Sequence, residues 1–149
     1  MDSFNIHKYN NIDINKIDIS NFNIHYNFNN FLIQSPIFNE YEILNYNSKK
    51  YIELKFDQTK SSHLKFLTFI DSLELKINKF LNKSIKTQII TDIQNKKSLK
   101  VKLLDSTVLF DSTKNEVNKL YSKKISLLFK IEFNMIFYSW ISLQILQLN

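Results

Sequence analysis

In 149 residues there is no glycine. A backbone without glycine takes up positive φ only at a steric cost and cannot approach a phosphate closely. Phosphate-cradling loops and dinucleotide-binding turns need glycines at fixed positions, so both are excluded. Cysteine is also missing, which removes thiolate nucleophiles, thiolate metal sites and disulfides. Arginine is missing as well, so no guanidinium fork can clamp a phosphate or carboxylate at two points. Alanine is absent, and Pro36 is the single proline. Asn, Ile, Lys, Phe and Tyr fill the vacated places. Their codons are AT-rich, which points to an AT-rich genome such as that of a large DNA virus, a protist or an insect symbiont.

What remains is enough for one core. Hydrophobic residues make up 44% of the chain, including 13 Phe, 7 Tyr and one Trp, so a single domain of this length can bury most of its surface without staples. The net charge of +6 favours a polyanion or an acidic partner, although a lysine surface kept for solubility carries the same charge. The opening MDSFNIHKYNN lacks the apolar stretch of a secretory signal. The most apolar stretch, 125–148, is interrupted by Lys130, Glu132, Asn134, Gln144 and Gln147, and so falls short of the about 18 continuous apolar residues that mark a membrane helix. The expectation is an intracellular protein, neither secreted nor in a membrane, working in the host cytoplasm or nucleus if the genome is viral.

Periodicity divides the chain into elements. Residues 1–30 are an Asn/Ile-rich arm, in which Ile12, Ile14, Ile17 and Ile19 alternate as an edge strand would. Phe31 to Gln34 reads as a strand stopped by Ser35 and Pro36. Tyr41 to Leu44 and Tyr51 to Phe56 read as a strand pair split by the turn-forming NYNSKK. In the second of these, Tyr51, Glu53 and Lys55 face one side and Ile52, Leu54 and Phe56 the other, the pattern of a sheet with one wet face. The spacing of Leu64, Phe66, Leu67, Ile70, Leu73, Ile77, Phe80 and Leu81 predicts one helix from about Ser62 to Asn82, with Ser61 or Ser62 as its N-cap. Strands are predicted at Thr87–Ile90, Leu99–Leu104 and Val108–Phe110, with Lys100 and Lys102 pointing out and Leu99, Val101 and Leu103 in. Two long strands, 125–133 and 137–148, joined near Asn134, close the chain. Alternating strand–helix units are absent, so a doubly wound parallel sheet is not expected. The expected fold is mainly β: an OB-like small barrel or curled antiparallel sheet with one long capping helix, formed by residues 31–149 as a single domain.

Catalytic constellations are thin. His7, His25 and His63 have no partner at metal-ligand spacing, so neither a metal nor a cofactor is expected. Asp71 and Glu74 stand a helical step apart and could serve metal-dependent cleavage, but such pairs are more often a solvated helix face. No serine has the flanking glycines of a nucleophile elbow. No catalytic residue is assigned. Binding of single-stranded nucleic acid asks for less, namely a lysine-lined groove with aromatic platforms on a sheet face. Tyr51 and Lys55 lie on one strand face, Lys100 and Lys102 on another, and Lys49, Lys50, Lys96 and Lys97 in the adjoining turns. Taken alone, this pattern is also what a merely solvated outer face shows.

The order and spacing of several segments add weight to binding. FLIQSPIF, YIELKF, HLKFLTFIDSLELKI, SLKVKLLDSTVLFDSTKNEV and ISLLFKIEFNMIFYSWISLQILQLN together resemble an OB-fold-like protein family of giant and algal DNA viruses, grouped with single-stranded DNA-binding proteins of the phage T7 type. The resemblance covers about Phe31 to Leu148. It implies a non-enzymatic, sequence-nonspecific single-stranded DNA-binding protein of viral replication, recombination or repair. On the alternation and charge of these strands, Lys100, Lys102 and Lys55 would neutralise phosphates and Tyr51 would stack a base. Implied partners are single-stranded nucleic acid, viral replication proteins and a second copy of the chain. The chain departs from the pattern at Tyr138 and Ser139, where such proteins place glycine, and in ending on LQLN where they carry an acidic tail that recruits partners. A different class of function, a structural virion or assembly protein, would use the same basic face to dock on an acidic protein.

Overall fold

The computed structural model describes residues 5–20, 23–133 and 137–149. The turns of this chain are made without glycine. Among the described residues, positive φ falls on Asn27, Phe28, Asn47, Ser48, Asn82, Asn95 and Lys114. Asparagine takes four of these places, as expected of a short polar side chain that tolerates left-handed backbone.

The elements follow the hydrophobic pattern closely. Strand β1 is Asn5–Lys8, β2 Ile17–Ser20, β3 Asn23–Tyr26 and β4 Phe31–Gln34. Then come β5 (Tyr41–Tyr46), β6 (Lys49–Lys55), helix α1 (Ser61–Leu81), β7 (Ile89–Thr91), β8 (Lys97–Phe110), β9 (Glu116–Val117), β10 (Lys124–Phe133) and β11 (Tyr138–Leu148). The main sheet runs β1-β4-β10-β11-β8-β6-β5, with β7 and β9 added on β8, while β2 and β3 pair separately. The sheet is mixed: β11 runs parallel to β8, and β1 parallel to β4. One edge of the sheet is supplied by Asn5–Lys8 and the other by β5. In the stretch 12–19, Ile14–Lys16 forms a 3-10 turn and Ile17 leads into β2, fully buried in the core.

Two boundaries moved for local reasons. β5 and β6 extend to a two-residue turn, Asn47–Ser48, both with positive φ, the twist that suits a tight hairpin. The two short strands expected over 99–110 are one strand of 14 residues, β8. Thr107 bridges its irregular middle: its Oγ1 accepts from the Leu104 amide at 2.9 Å and donates to the Ser142 carbonyl at 2.7 Å. The register with β11 slips there, between Ser142 and Gln144. The join near Asn134 lies outside the described residues.

Helix α1 turns Phe66, Leu67, Phe69, Ile70, Leu73 and Ile77 into the core. Leu64 and Phe80, expected in this stripe, lie at its margins about half exposed. Phe66 is the hub, with ring centroids 5.8–6.2 Å from Phe38, Phe56, Phe129 and Trp140. Burying each such ring contributes on the order of 1.5–3 kcal/mol. The serine N-cap is not made. The N-cap residue is Lys60, without a side-chain cap, and the preceding loop is held by His63 instead. Buried His63 accepts the Asp57 amide on Nδ1 at 2.8 Å, which leaves Nε2 to donate to the Ile37 carbonyl at 2.8 Å. At the other end Asn82 is left-handed, and the Lys83 amide reaches back to the Asn78 carbonyl, the glycine-type helix stop made by asparagine.

Glu74 ties the helix to the sheet. Its Oε2 accepts from the Tyr138 hydroxyl, the Thr87 hydroxyl at 2.8 Å and the Gln88 amide at 3.2 Å. Burial, and then the Glu74 carboxylate, push the Tyr138 hydroxyl far above its ordinary pKa, so it stays a donor at every physiological pH. Among the described residues no helix is long and apolar enough to cross a membrane. Most of the apolar stretch 125–148 falls in β10 and β11.

Candidate nucleic-acid interface

The inner faces of β6 and β8 are committed to the core: Ile52, Leu54, Leu99 and Val101 are fully buried. Strand alternation therefore places Tyr51, Glu53, Lys100 and Lys102 on the outer face. Cross-strand pairing then sorts these side chains into rows. In one row Leu44 of β5 stands opposite Tyr51 of β6, Tyr51 opposite Lys102 of β8, Lys102 opposite Ile141 of β11, and Ile141 opposite Lys130 of β10. Two residues along, about 7 Å away, lies a row rich in carboxylates. There Glu42 stands opposite Glu53, Glu53 opposite Lys100, and Ser139 opposite Glu132. On the other flank Tyr46 stands opposite Lys49 at the hairpin tip.

Lys100 belongs to the carboxylate row by register but leans out of it. Its Nζ lies 4.2 Å from the centre of the Tyr51 ring, a contact worth about 0.5–1 kcal/mol when exposed. Tyr51, Lys100 and Lys102 thus form one cluster, with Lys49 two residues before Tyr51 on the same face. Lys50, opposite Leu103, projects to the other side of the hairpin but remains exposed.

Lys55, Lys96 and Lys97 gather elsewhere. They line a separate cleft of about 700 Å³, together with Glu40, Glu53, Asp57 and Asp92. The Lys55 ammonium lies 3.2 Å from Glu53 and 3.6 Å from Glu42, and the hydrogen bond to Glu53 raises its pKa. Lys97 donates to Thr91 at 3.3 Å. Of the eight residues singled out in the sequence, Lys49, Lys100 and Lys102 therefore share a face with Tyr51, Lys50 lies on the other side of the hairpin, and Lys55, Lys96 and Lys97 lie beyond the carboxylates in mixed-charge surroundings.

Sequence reasoning missed two side chains of the outer face. Tyr46 is 67% exposed beside Lys49, and its position next to NSKK is the signal that could have found it. Lys130 appeared in the sequence as a mere interruption of an apolar run, and the register places it at the end of the Tyr51 row. The carboxyl pair considered for catalysis is divided: Glu74 is occupied by its three donors, and Asp71 is exposed. Among the described residues no group of three or more His, Asp or Glu is placed to hold a metal ion.

By sequence the chain matches no protein-family model and no curated protein. Solved structures do match. Gp2.5, a single-stranded DNA-binding protein encoded by bacteriophage T7, superposes with a TM-score of 0.56 at 9% identity, covering 79% of this chain and 91% of that one. The single-stranded DNA-binding protein of bacteriophage Enc34 gives a TM-score of 0.48 at 14% identity, covering 69% and 70% of the two chains. Its complex with single-stranded DNA gives 0.47 at 14% identity, covering 66% and 70%. The mainly β fold with one capping helix expected from the sequence is therefore the fold this chain has, and it is shared with gp2.5 of bacteriophage T7.

Proposed function

We propose that this chain is a non-enzymatic protein that binds single-stranded DNA without sequence preference, inside the infected cell, during replication, recombination or repair of an AT-rich viral genome. The observation that carries the reading is the cluster of Tyr51, Lys100 and Lys102 on an open sheet face. An aromatic face stacks any base and a lysine ammonium meets any phosphate, so neither discriminates sequence. The fold it shares with a phage protein described as binding single-stranded DNA supports the same reading.

Lysine as the sole basic residue, apart from histidine, shapes the expected behaviour. An ammonium is a point charge without fork geometry, so contacts to phosphate are ionic and loosely oriented. Each phosphate neutralised on a single strand lowers the slope of log affinity against log salt by about 0.7. The test is fluorescence anisotropy of a labelled oligothymidylate across a salt series, with duplex as competitor. Tight binding that falls steeply with salt and resists duplex is expected. A chain that ignores the oligonucleotide at low salt while forming a stable oligomer would point to an assembly role.

A further inference from the structure

The proposed function leaves open where a strand runs on the outer face, and the register gives an answer that rests on that reading. We infer that a bound strand is confined to the row Leu44–Tyr51–Lys102–Ile141–Lys130, that Lys130 is a phosphate contact at its far end, and that Glu42, Glu53 and Glu132 form a border that excludes a second backbone.

The row crosses five neighbouring strands through four directly paired positions. At about 4.8 Å per strand it is roughly 19 Å long, a length suited to the low end of the 4 to 16 nucleotides an OB fold holds. Its composition fits one strand lying across it. Tyr51 offers a ring, and Lys102 and Lys130 a cation on either side of the buried Ile141. Ile141 is buried yet stands apart from the main core cluster, as a residue covered by its outer-face neighbours should.

The border has a size that matters. The carboxylate row lies about 7 Å from the Tyr51 row, on the side away from the hairpin tip. A second backbone laid beside the bound strand on that side would meet the carboxylates of Glu42 and Glu53. On the opposite flank the sheet offers Lys49 near the hairpin tip and then the apolar Leu128 on β10. Lys55 lies beyond the border, its ammonium shared between two carboxylates. Lys130 also has a carboxylate at 3.5 Å, that of Glu132, but a single exposed pair of this kind is weak and gives way to a phosphate.

Four surface variants test the path: Lys130→Ala, Lys55→Ala, Glu42→Gln and Glu132→Gln, each with its melting temperature as a folding control. Binding to a labelled 12-mer oligothymidylate and to a duplex of equal length is measured across salt. Lys130→Ala should weaken single-strand binding about 3- to 10-fold and reduce the salt slope by about 0.7, while Lys55→Ala stays within about twofold of the parent. The two glutamine variants should tighten duplex binding more than single-strand binding, narrowing the preference. An intact parent affinity with an unaffected Lys130→Ala, or a Lys55→Ala as damaging as Lys130→Ala, overturns the path alone. Failure of the parent protein to bind the oligonucleotide at low salt overturns the functional reading and the path with it.

Discussion

The two faces of the β6–β8 pair are written in alternate letters of the same two segments, and they obey different physics. On the inner face, Ile52, Leu54, Leu99 and Val101 are fully buried and pack toward the ring cluster around Phe66. Each contact there is short-ranged and depends on shape, so a missing group leaves a cavity that the neighbours fill only partly. On the outer face, Tyr51, Glu53, Lys100 and Lys102 meet water, and what they do depends on the sum of charges within about 10 Å. The contrast teaches that one set of strands can hold a fold with one face and leave the other free to select a partner. It also implies that damage to the two faces should show up in different measurements.

The largest effect is expected on the inner side. Phe66→Ala removes the hub against which Phe38, Phe56, Phe129 and Trp140 pack, and should cost about 3–5 kcal/mol of stability. Denaturant melts would read that loss as a lower midpoint, and whatever fraction stays folded should keep the parent's affinity for oligonucleotide. A variant that lost affinity at full stability would break the separation of the two faces. The next effect is on the outer side. Tyr51→Ala should weaken single-strand binding by about 1–3 kcal/mol, the range for one stacked base, while moving stability by no more than about 1 kcal/mol, the worth of its contact with Lys100. The binding loss sharpens the comparison, and a melting temperature that fell as far as that of Phe66→Ala would erase it.

Much of this arrangement was legible in the sequence, for a specific reason. Alternation and helical spacing report which side of an element meets water, so the helix, the inward Ile52, Leu54, Leu99 and Val101, and the outward Lys100 and Lys102 could be read directly. Residues that act through distant partners could not. Glu42 and Glu53 face each other across the hairpin, and together they hold Lys55, which a linear reading treats as a free cation. Glu74 looked like half of an acid pair until the fold brought Tyr138 to it from 64 residues away. The parallel pairing of β11 with β8 carries no mark in either strand, yet it is what sets Ile141 and Lys130 in line with Tyr51. Local patterns therefore exposed the faces, and only the register exposed the rows.

Glycine makes the same point from the other direction. Its absence excluded whole classes of phosphate-binding loop at the outset, but not the turns themselves, because asparagine took the left-handed places at the β5–β6 hairpin, the helix stop and the β7–β8 turn. A basic sheet face needs no such loop, and that is why a chain with this composition can still be built to meet a phosphate backbone.

The most direct test pairs affinity and stability in one variant. Lys100→Glu with Lys102→Glu reverses the charge beside Tyr51 without touching a buried atom of the core. Measured beside the parent on a labelled oligothymidylate across salt, it should lose at least about 100-fold in affinity at low salt and flatten the salt slope by about 1.4 for the two lysines removed. Its melting temperature should stay within a few degrees of the parent's. Unchanged affinity and slope in a folded double variant would contradict the account, and the outer face would then be no more than the solvated side of a sheet.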